Sequence, residues 1–314
     1  MVKIGLIGCG KWGENHARIF SELGGCMFVG IADTDPSVKK IAEKYNANFF
    51  PDYKKMLPHV DAVSIVVPTN LHYQVAKNCL VAGKHVLVEK PLTLSSKEAK
   101  ELIDIAKQKN LVLSAGYLFR FNAAVIELKK MFKKIGDIHY ITARYMHSNK
   151  PPRKDCGVIF NFATHLVDIL TFLVNKPPKK VFCKKLNYLS KEREDAAFII
   201  LDYGDFIANL EVSWLHPLKK RDMWLIGSEG KIYIDFFEQI VTFYPIKVTC
   251  EKIISGKEMN VEIRKNEPLK EELKEFCSLI KNNGDYPYDE YLITKICETC
   301  IESAATGKEI LVDI

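Results

Sequence analysis

The stretch "VKIGLIGCGKWGENHARIF" (residues 2–20) joins an apolar run of strand length to a helical pattern through Gly8-Cys9-Gly10-Lys11-Trp12-Gly13. A G-x-G-x-x-G placed between strand and helix has a physical reading at each glycine. The first permits the turn, the second lets the backbone approach a pyrophosphate, and the third lets the helix pack closely on the strand. The start of that helix then presents free N–H groups and a partial positive charge to phosphates. Asp33 closes the next apolar run, "MFVGIAD" (27–33), 20 residues beyond Gly13. A carboxylate there can accept hydrogen bonds from the hydroxyls of an adenosine ribose. It would also repel a 2′-phosphate, and Thr34, Asp35 and Pro36 supply no basic cluster, so NAD is favoured over NADP. An ordinary glycine turn followed by a capping aspartate is the bland alternative.

Outward from this unit, the apolar runs "AVSIVV" (62–67), "HVLVE" (85–89) and "LVLSAG" (111–116) alternate with helical stretches at 70–82 and 95–109. The second of these opens at Ser95 or Ser96, a suitable N-cap. Strand and helix in alternation predict a doubly wound parallel sheet of the Rossmann type over residues 1–118. Beyond about residue 120 the rhythm changes. A helix near 122–134 leads to "DIHYITARYM", to the loop "HSNKPPRKDC" and to the helical run "GVIFNFATHLVDIL" (157–170). From 179 to about 265, long apolar-rich runs are separated by tight turns at 203–205 and 227–230, the pattern of antiparallel hairpins. Two helices (269–283 and 288–305) and the short strand "EILVDI" close the chain. Residues 119–314 are therefore expected to form a second α/β domain on a large, mostly antiparallel open sheet.

The net charge of +6 comes from lysines interleaved with acids along helical faces such as "KEAKELIDIAKQK" (97–109). That dispersal, with no RNA-binding signature or arginine-rich arm, argues against a nucleic-acid partner. No apolar run reaches the length of a membrane span, and no leader pattern precedes the first strand. Nine cysteines without paired spacings suit a reducing compartment, so a cytoplasmic location is expected. Cys297 and Cys300 form a single C-x-x-C inside an apolar helical run, which suits a core position better than a zinc site. No metal is expected.

Projected at about 100° per residue, the run from 157 onward separates into two sectors. Phe162, Leu166, Ile169, Leu170 and Leu173 share one, and Asn161, Thr164, His165 and Asp168 share the other. The first reads as core and the second as a stripe able to carry chemistry.

These segments together resemble the glucose-fructose oxidoreductase and inositol dehydrogenase family (Gfo/Idh/MocA). The glycine motif, "VVPTNLH" (66–72), "AGKHVLVEKPLTLS" (82–95), "GYLFRFN" (116–122), "GVIFNFATHLVD" (157–168) and "SWLHP" (213–217) carry the likeness over nearly the whole chain. The resemblance implies hydride exchange between NAD and a sugar or cyclitol carbon, and a second-domain sheet that makes homodimers or homotetramers. It places Gly8, Cys9, Gly10, Lys11, Trp12, Gly13, Asp33, Pro68, Thr69, Asn70, His72 and Glu89 at the cofactor, although a histidine at a helix start also suits His72. It makes Lys90 and His165 catalytic and adds Tyr117, Arg120, Asn122, Arg153 and Asn161, with Lys90 and His165, to the substrate side. Histidine suits the removal of a hydroxyl proton because its pKa lies near working pH. The Lys90 ammonium would stabilise developing charge on the oxygen. Asp168 either orients the imidazole or belongs to a structural network.

Most polyol-oxidising relatives in that family carry aspartate where this chain has Asn161, and an amide cannot accept the proton. Within the family an asparagine here resembles enzymes that oxidise C3 of a UDP-N-acetylhexosamine, which makes UDP-N-acetylglucosamine the expected substrate. Lys150, Arg153 and Lys154, with Arg120, are candidates to receive its diphosphate or a carboxylate. An inositol or free-sugar dehydrogenase, and a regulator that binds NAD and sugar without turnover, are the alternatives.

Overall fold

The computed structural model describes residues 1–148, 153–282, 284 and 289–313. The chain divides into two compact units, Met1–Tyr117 with Leu269–Thr294, and Leu118–Pro268 with Lys295–Ile314.

In the first unit the elements run β1 (Val2–Ile7), α1 (Gly13–Glu22), β2 (Cys26–Ala32), α2 (Lys39–Lys44), β3 (Asn48–Phe50), α3 (Tyr53–Met56), β4 (Ala62–Ile65), α4 (His72–Val81), β5 (His85–Val88), α5 (Ser96–Gln108) and β6 (Leu113–Ala115). The strands pair in parallel in the order β3-β2-β1-β4-β5-β6. That order reverses beside β1, the switch point where open α/β sheets bind dinucleotides outside the carboxyl ends of their strands. β1 and β4 are buried almost end to end, as strands covered on both faces must be.

The second unit contains α6 (Ala123–Met131), β7 (Ile138–Met146), a π-helical turn (Ile159–Ala163) running into α7 (Thr164–Val174), then β8 (Lys180–Leu186), β9 (Ala196–Asp202), β10 (Ile207–Ser213), β11 (Lys220–Gly227), β12 (Lys231–Asp235) and β13 (Ile240–Tyr244). A small hairpin, β14 (Ile246–Val248) with β15 (Ile253–Ser255), and the short β16 (Met259–Asn260) follow. Nine strands form one sheet, and β7 with β10 is its parallel pair. Its far edge is β17 (Ile310–Leu311). Helix α6 packs on β12 and β13, and α7 packs on β7, so one sheet face is covered.

Two expectations need correction. Leu269–Thr294 was expected in the second domain but belongs to the first unit. The apolar face of α8 (Pro268–Lys281), with Leu269, Leu273 and Phe276, completes a core that includes Val2, Ile4, Phe20 and Leu87. The segment 157–170 is not one regular α-helix, because Ile159–Ala163 is a π-helical turn, a wider turn that breaks the assumed 3.6-residue period. Both of its expected sectors are buried: His165 and Asp168 are as enclosed as Leu166 and Leu170. The last helix is α9 (Glu290–Thr306). Among the described residues no helix is long and apolar enough to cross a membrane, and no group of three or more histidine, cysteine, aspartate or glutamate residues is placed to hold a metal ion.

Candidate functional site

In the first unit the glycine loop has the geometry a dinucleotide needs. Gly8 adopts φ +86°, and a Cβ added there would meet the Val66 carbonyl oxygen at 2.5 Å. A Cβ on Gly13 would meet the Gly8 oxygen at 2.4 Å, while one on Gly10 would meet nothing within 4 Å. The two closed positions fix strand and helix against each other, and the open one leaves the backbone approachable. Gly10, Lys11 and Trp12 form the exposed crest of the loop. No side chain caps the start of α1, so its first-turn N–H groups keep the capacity to meet phosphate oxygens.

Asp33 is oriented by two backbone donors, Cys9 N–H to Oδ2 at 2.7 Å and Asp35 N–H to Oδ1 at 2.9 Å. Each carboxylate oxygen retains accepting capacity for a ribose hydroxyl. The residues present thus fit NAD. The Cys9 thiol is buried, and that burial, with the Asp33 and Glu14 charges, pushes its pKa up to about 12. Any contribution of Cys9 to a cofactor therefore comes from its backbone.

At the end of β5, Glu89 is buried yet ionised. Burial pushes its pKa up, but the hydrogen bond and charge of His16, the Trp12 indole and Lys90 outweigh it and hold the carboxyl below its ordinary range. Trp12 Nε1 donates to Oε1 at 2.6 Å, His16 Nε2 lies 3.2 Å from the same oxygen, and the Lys90 N–H donates to Oε2 at 3.1 Å. Uncompensated burial of a carboxylate costs several kcal/mol, which donors worth about 1.5–3 kcal/mol each to a charged group can offset. Glu89 therefore faces protein donors on both oxygens. His72 is likewise turned inward, its Nδ1 2.7 Å from the Pro91 carbonyl oxygen and its Nε2 3.0 Å from that of Val67. This ring braces the Glu89-Lys90-Pro91 turn against the end of β4. Pro68 and Asn70 are exposed and Thr69 is buried at the mouth of β4. Tyr117 is buried at the end of this unit.

In the second unit, His165 lies one residue into α7 with its imidazole in an aromatic clamp. Tyr145 stacks on it with centroids 5.2 Å apart and planes 14° from parallel, and Phe119 meets it edge-on at 5.1 Å. The π-helical turn carries Asn161 just ahead of it. That turn begins against Glu194, which accepts Ile159 N–H on Oε1 at 3.0 Å. A Cβ on Gly157 would collide with the Glu194 carboxylate at 2.0 Å, so this glycine is what lets the cap reach.

Three expected substrate residues are engaged elsewhere. Arg120 Nε donates to Asp168 Oδ1 at 2.6 Å, which places Asp168 in a buried ion pair and sets the Arg120 charge against an aspartate. Arg153 grips Asp155 through two nitrogens. Asn122 is the N-cap of α6, its Oδ1 accepting Ala124 and Val125 N–H and its amide donating to the Phe236 carbonyl. It is 1% exposed, so its place in the substrate set is withdrawn. Lys150 lies outside the described residues, and Lys154 is exposed.

Sequence reasoning missed His16, Ser64, Tyr145, Glu194 and Arg221. His16 had a signal, since it lies on the core face of α1, four residues from Trp12 and four from Phe20. Arg221 stands with its guanidinium carbon 4.5 Å from the Tyr145 ring centroid, on the ring that stacks on His165.

Two family models match the chain. Residues 2–117 match the oxidoreductase family with an NAD-binding Rossmann fold, and residues 125–233 match the GFO/IDH/MocA C-terminal domain. The chain is 28% identical over 282 residues to UDP-N-acetylglucosamine 3-dehydrogenase of Acidithiobacillus ferrooxidans, spanning 89% of this chain and 88% of that one. A solved structure of that enzyme superposes with a TM-score of 0.85 at 25% identity over 97% of each chain. Myo-inositol 2-dehydrogenase of Thermotoga maritima is 26% identical over 251 residues, 74% of this chain and 75% of that one. A levoglucosan dehydrogenase solved with NADH shares the fold, with a TM-score of 0.88 at 19% identity over 99% of each chain. The glycine loop and its Asp33, with both domain matches, establish that the chain belongs to the Gfo/Idh/MocA family and is an NAD-dependent oxidoreductase.

Proposed function

We propose that this protein oxidises a secondary alcohol of a sugar to a ketone, and that its substrate is UDP-N-acetylglucosamine, oxidised at C3. The observation that carries the reading is His165, a buried imidazole whose direction is fixed by Tyr145 and Phe119 and which follows Asn161 instead of an acidic residue. NAD held by the glycine loop and Asp33 would supply the acceptor for the hydrogen on the carbinol carbon, as hydride. His165 accepts the hydroxyl proton, the general-base role to which an imidazole is suited. The Lys90 ammonium stabilises the oxygen as it loses that proton. Asn161 holds a hydroxyl or the acetamido carbonyl, because its amide donates and accepts hydrogen bonds without taking up a proton.

A nucleotide sugar also brings a diphosphate. Arg120 and Arg153 face Asp168 and Asp155, whereas Arg221 makes no ion pair with any described residue and lies over the Tyr145 ring. Arg221 is accordingly the guanidinium we assign to the diphosphate, in the charge-assisted geometry such groups favour. The relative of 28% identity whose name carries this activity is consistent with the assignment.

Incubation with NAD and a panel of UDP-sugars, with mass spectrometry of the products, tests the reading. A 3-keto product from UDP-N-acetylglucosamine is expected, with none from free N-acetylglucosamine. His165→Asn and Lys90→Ala should each lose at least about a hundredfold in turnover, in the range of a removed acid–base group, while still binding NADH. Turnover of myo-inositol alone would favour the second reading, a cyclitol dehydrogenase, which the Thermotoga maritima relative supports. NAD binding without turnover of any sugar would leave a sensing role.

The nine cysteines are free thiols, in keeping with work in the reducing cytoplasm. The uncovered face of the nine-stranded sheet is the surface by which we expect two copies to pair.

A further inference from the structure

A buried polar chain links the helix after the glycine loop to the Glu89-Lys90-Pro91 turn. His16 has no exposed side-chain surface and that of Glu89 is 9% exposed. His16 Nδ1 lies 3.0 Å from Ser64 Oγ, and its Nε2 reaches Glu89 Oε1 at 3.2 Å. The same Oε1 accepts the Trp12 indole N–H at 2.6 Å. Four elements thus meet: the glycine loop through Trp12, α1 through His16, β4 through Ser64, and the end of β5 through Glu89. Gly116 leaves room for the carboxylate on the β6 side: a Cβ there would sit 3.1 Å from the Glu89 carboxyl carbon.

The consequence falls on Trp12. It is 42% exposed and stands at the crest of a loop whose neighbours Gly10 and Gly13 offer no side chain to pack against. A large ring so placed would sample several rotamers unless something held it. The hydrogen bond to Glu89 holds it, and Glu89 is in turn held by His16.

We infer that His16, anchored by Ser64, is a positioning residue for the cofactor, fixing the Glu89 carboxylate so that the Trp12 indole presents one preset face to the dinucleotide. The inference deepens the NAD site and is independent of the sugar, so its test needs no substrate. Without His16, Glu89 loses a donor and Trp12 must be ordered at the moment of binding, which weakens affinity.

Calorimetric titration with NADH, with thermal melts and Trp12 fluorescence obtained by difference from a Trp12→Phe protein, decides the matter. His16→Ala should weaken NADH binding about tenfold to a hundredfold, the range for a lost bond to a charged group, and make Trp12 emission more accessible to iodide. His16→Gln, whose amide can still donate to Glu89, should recover at least half of the loss on a logarithmic scale. Ser64→Ala should weaken binding less, about two- to fivefold. Because His16 acts through Trp12, the double variant Trp12→Phe, His16→Ala should bind no worse than the weaker single variant. Fully additive losses, or wild-type NADH affinity in folded His16→Ala, overturn the inference. If His16→Ala does not fold, wild-type affinity and unaltered Trp12 quenching in Ser64→Ala overturn it equally. Absence of turnover on every sugar with these binding effects intact would count against the proposed substrate and not against this role.

Discussion

Gly13 meets a backbone carbonyl, and that determines how severe its replacement is. An alanine Cβ at this position would lie 2.4 Å from the Gly8 oxygen, and no rotamer change can relieve contact with main chain. The start of α1 must then move off β1. Gly13→Ala should cost about 1–3 kcal/mol of stability, the usual range for overpacking, and weaken NADH binding by at least about tenfold, one decade per 1.4 kcal/mol. Gly10→Ala has open space around its Cβ, so its melting temperature should stay at the wild-type value while NADH binding falls. Equal NADH affinity in wild type and Gly13→Ala would remove the loop from the cofactor site. These glycines and Asp33 were legible in the sequence because their requirements are local and their spacing is fixed by one strand-turn-helix. The ion pair of Arg120 with Asp168, 48 residues apart, was not. No spacing rule tells a substrate-facing arginine from one that meets an aspartate across the fold.

The same division holds for elements. The alternation of strands and helices before residue 118 was readable because parallel strands buried on both faces are short, continuous apolar runs. The π-helical turn Ile159–Ala163 was not, since a helical projection assumes one period throughout, and the partner that starts the turn, Glu194, comes from 35 residues further along the chain. The β5–β6 pair offers a test by pH. His85 Nδ1 accepts the Val112 N–H at 3.0 Å, which requires an unprotonated nitrogen. Burial lowers the His85 pKa, with Asp61 opposing it. A histidine depressed in the folded state lets the unfolded chain bind the proton first, so the stability it contributes is present above about pH 6.5, the ordinary histidine value, and is lost as pH falls through the folded value. Melting temperature should therefore decline on acidification below that point, and less so in His85→Asn, which keeps an acceptor but does not titrate. Identical pH profiles for the two proteins would exclude His85 as a source of the acid sensitivity.

For the molecule as a whole, the helix over 269–283 was readable but not the core it joins, so the return of α8 to the first unit lay beyond a reading by sequence order. The hairpins β8-β9-β10 and β11-β12-β13 were legible, but not the insertion of β7 between β10 and β11, parallel to β10; the two faces of the sheet follow from strand alternation. One face holds Ile141, Ala143 and Tyr145 of β7, all buried. The other carries Tyr140 at 46%, Phe198 at 45%, Ile200 at 37% and Ile207 at 43% exposure. Beside them on that face is a cluster of Trp224, Tyr233 and Tyr244. An apolar area of this kind, interspersed with Lys184, Arg144 and Glu211, marks an interaction surface, and charges of both signs on one face suit a two-fold pairing of identical copies. Sedimentation velocity should find a dimer or a multiple of it at micromolar concentration. Replacing both Phe198 and Ile207 by glutamate should give monomers, because each exposed apolar side chain becomes a charge that pairing would have to desolvate. NADH affinity should be unchanged in that variant, since the glycine loop and Asp33 lie in the other unit. A wild-type monomer, or a dimer that survives both substitutions, would move the contact to a different surface.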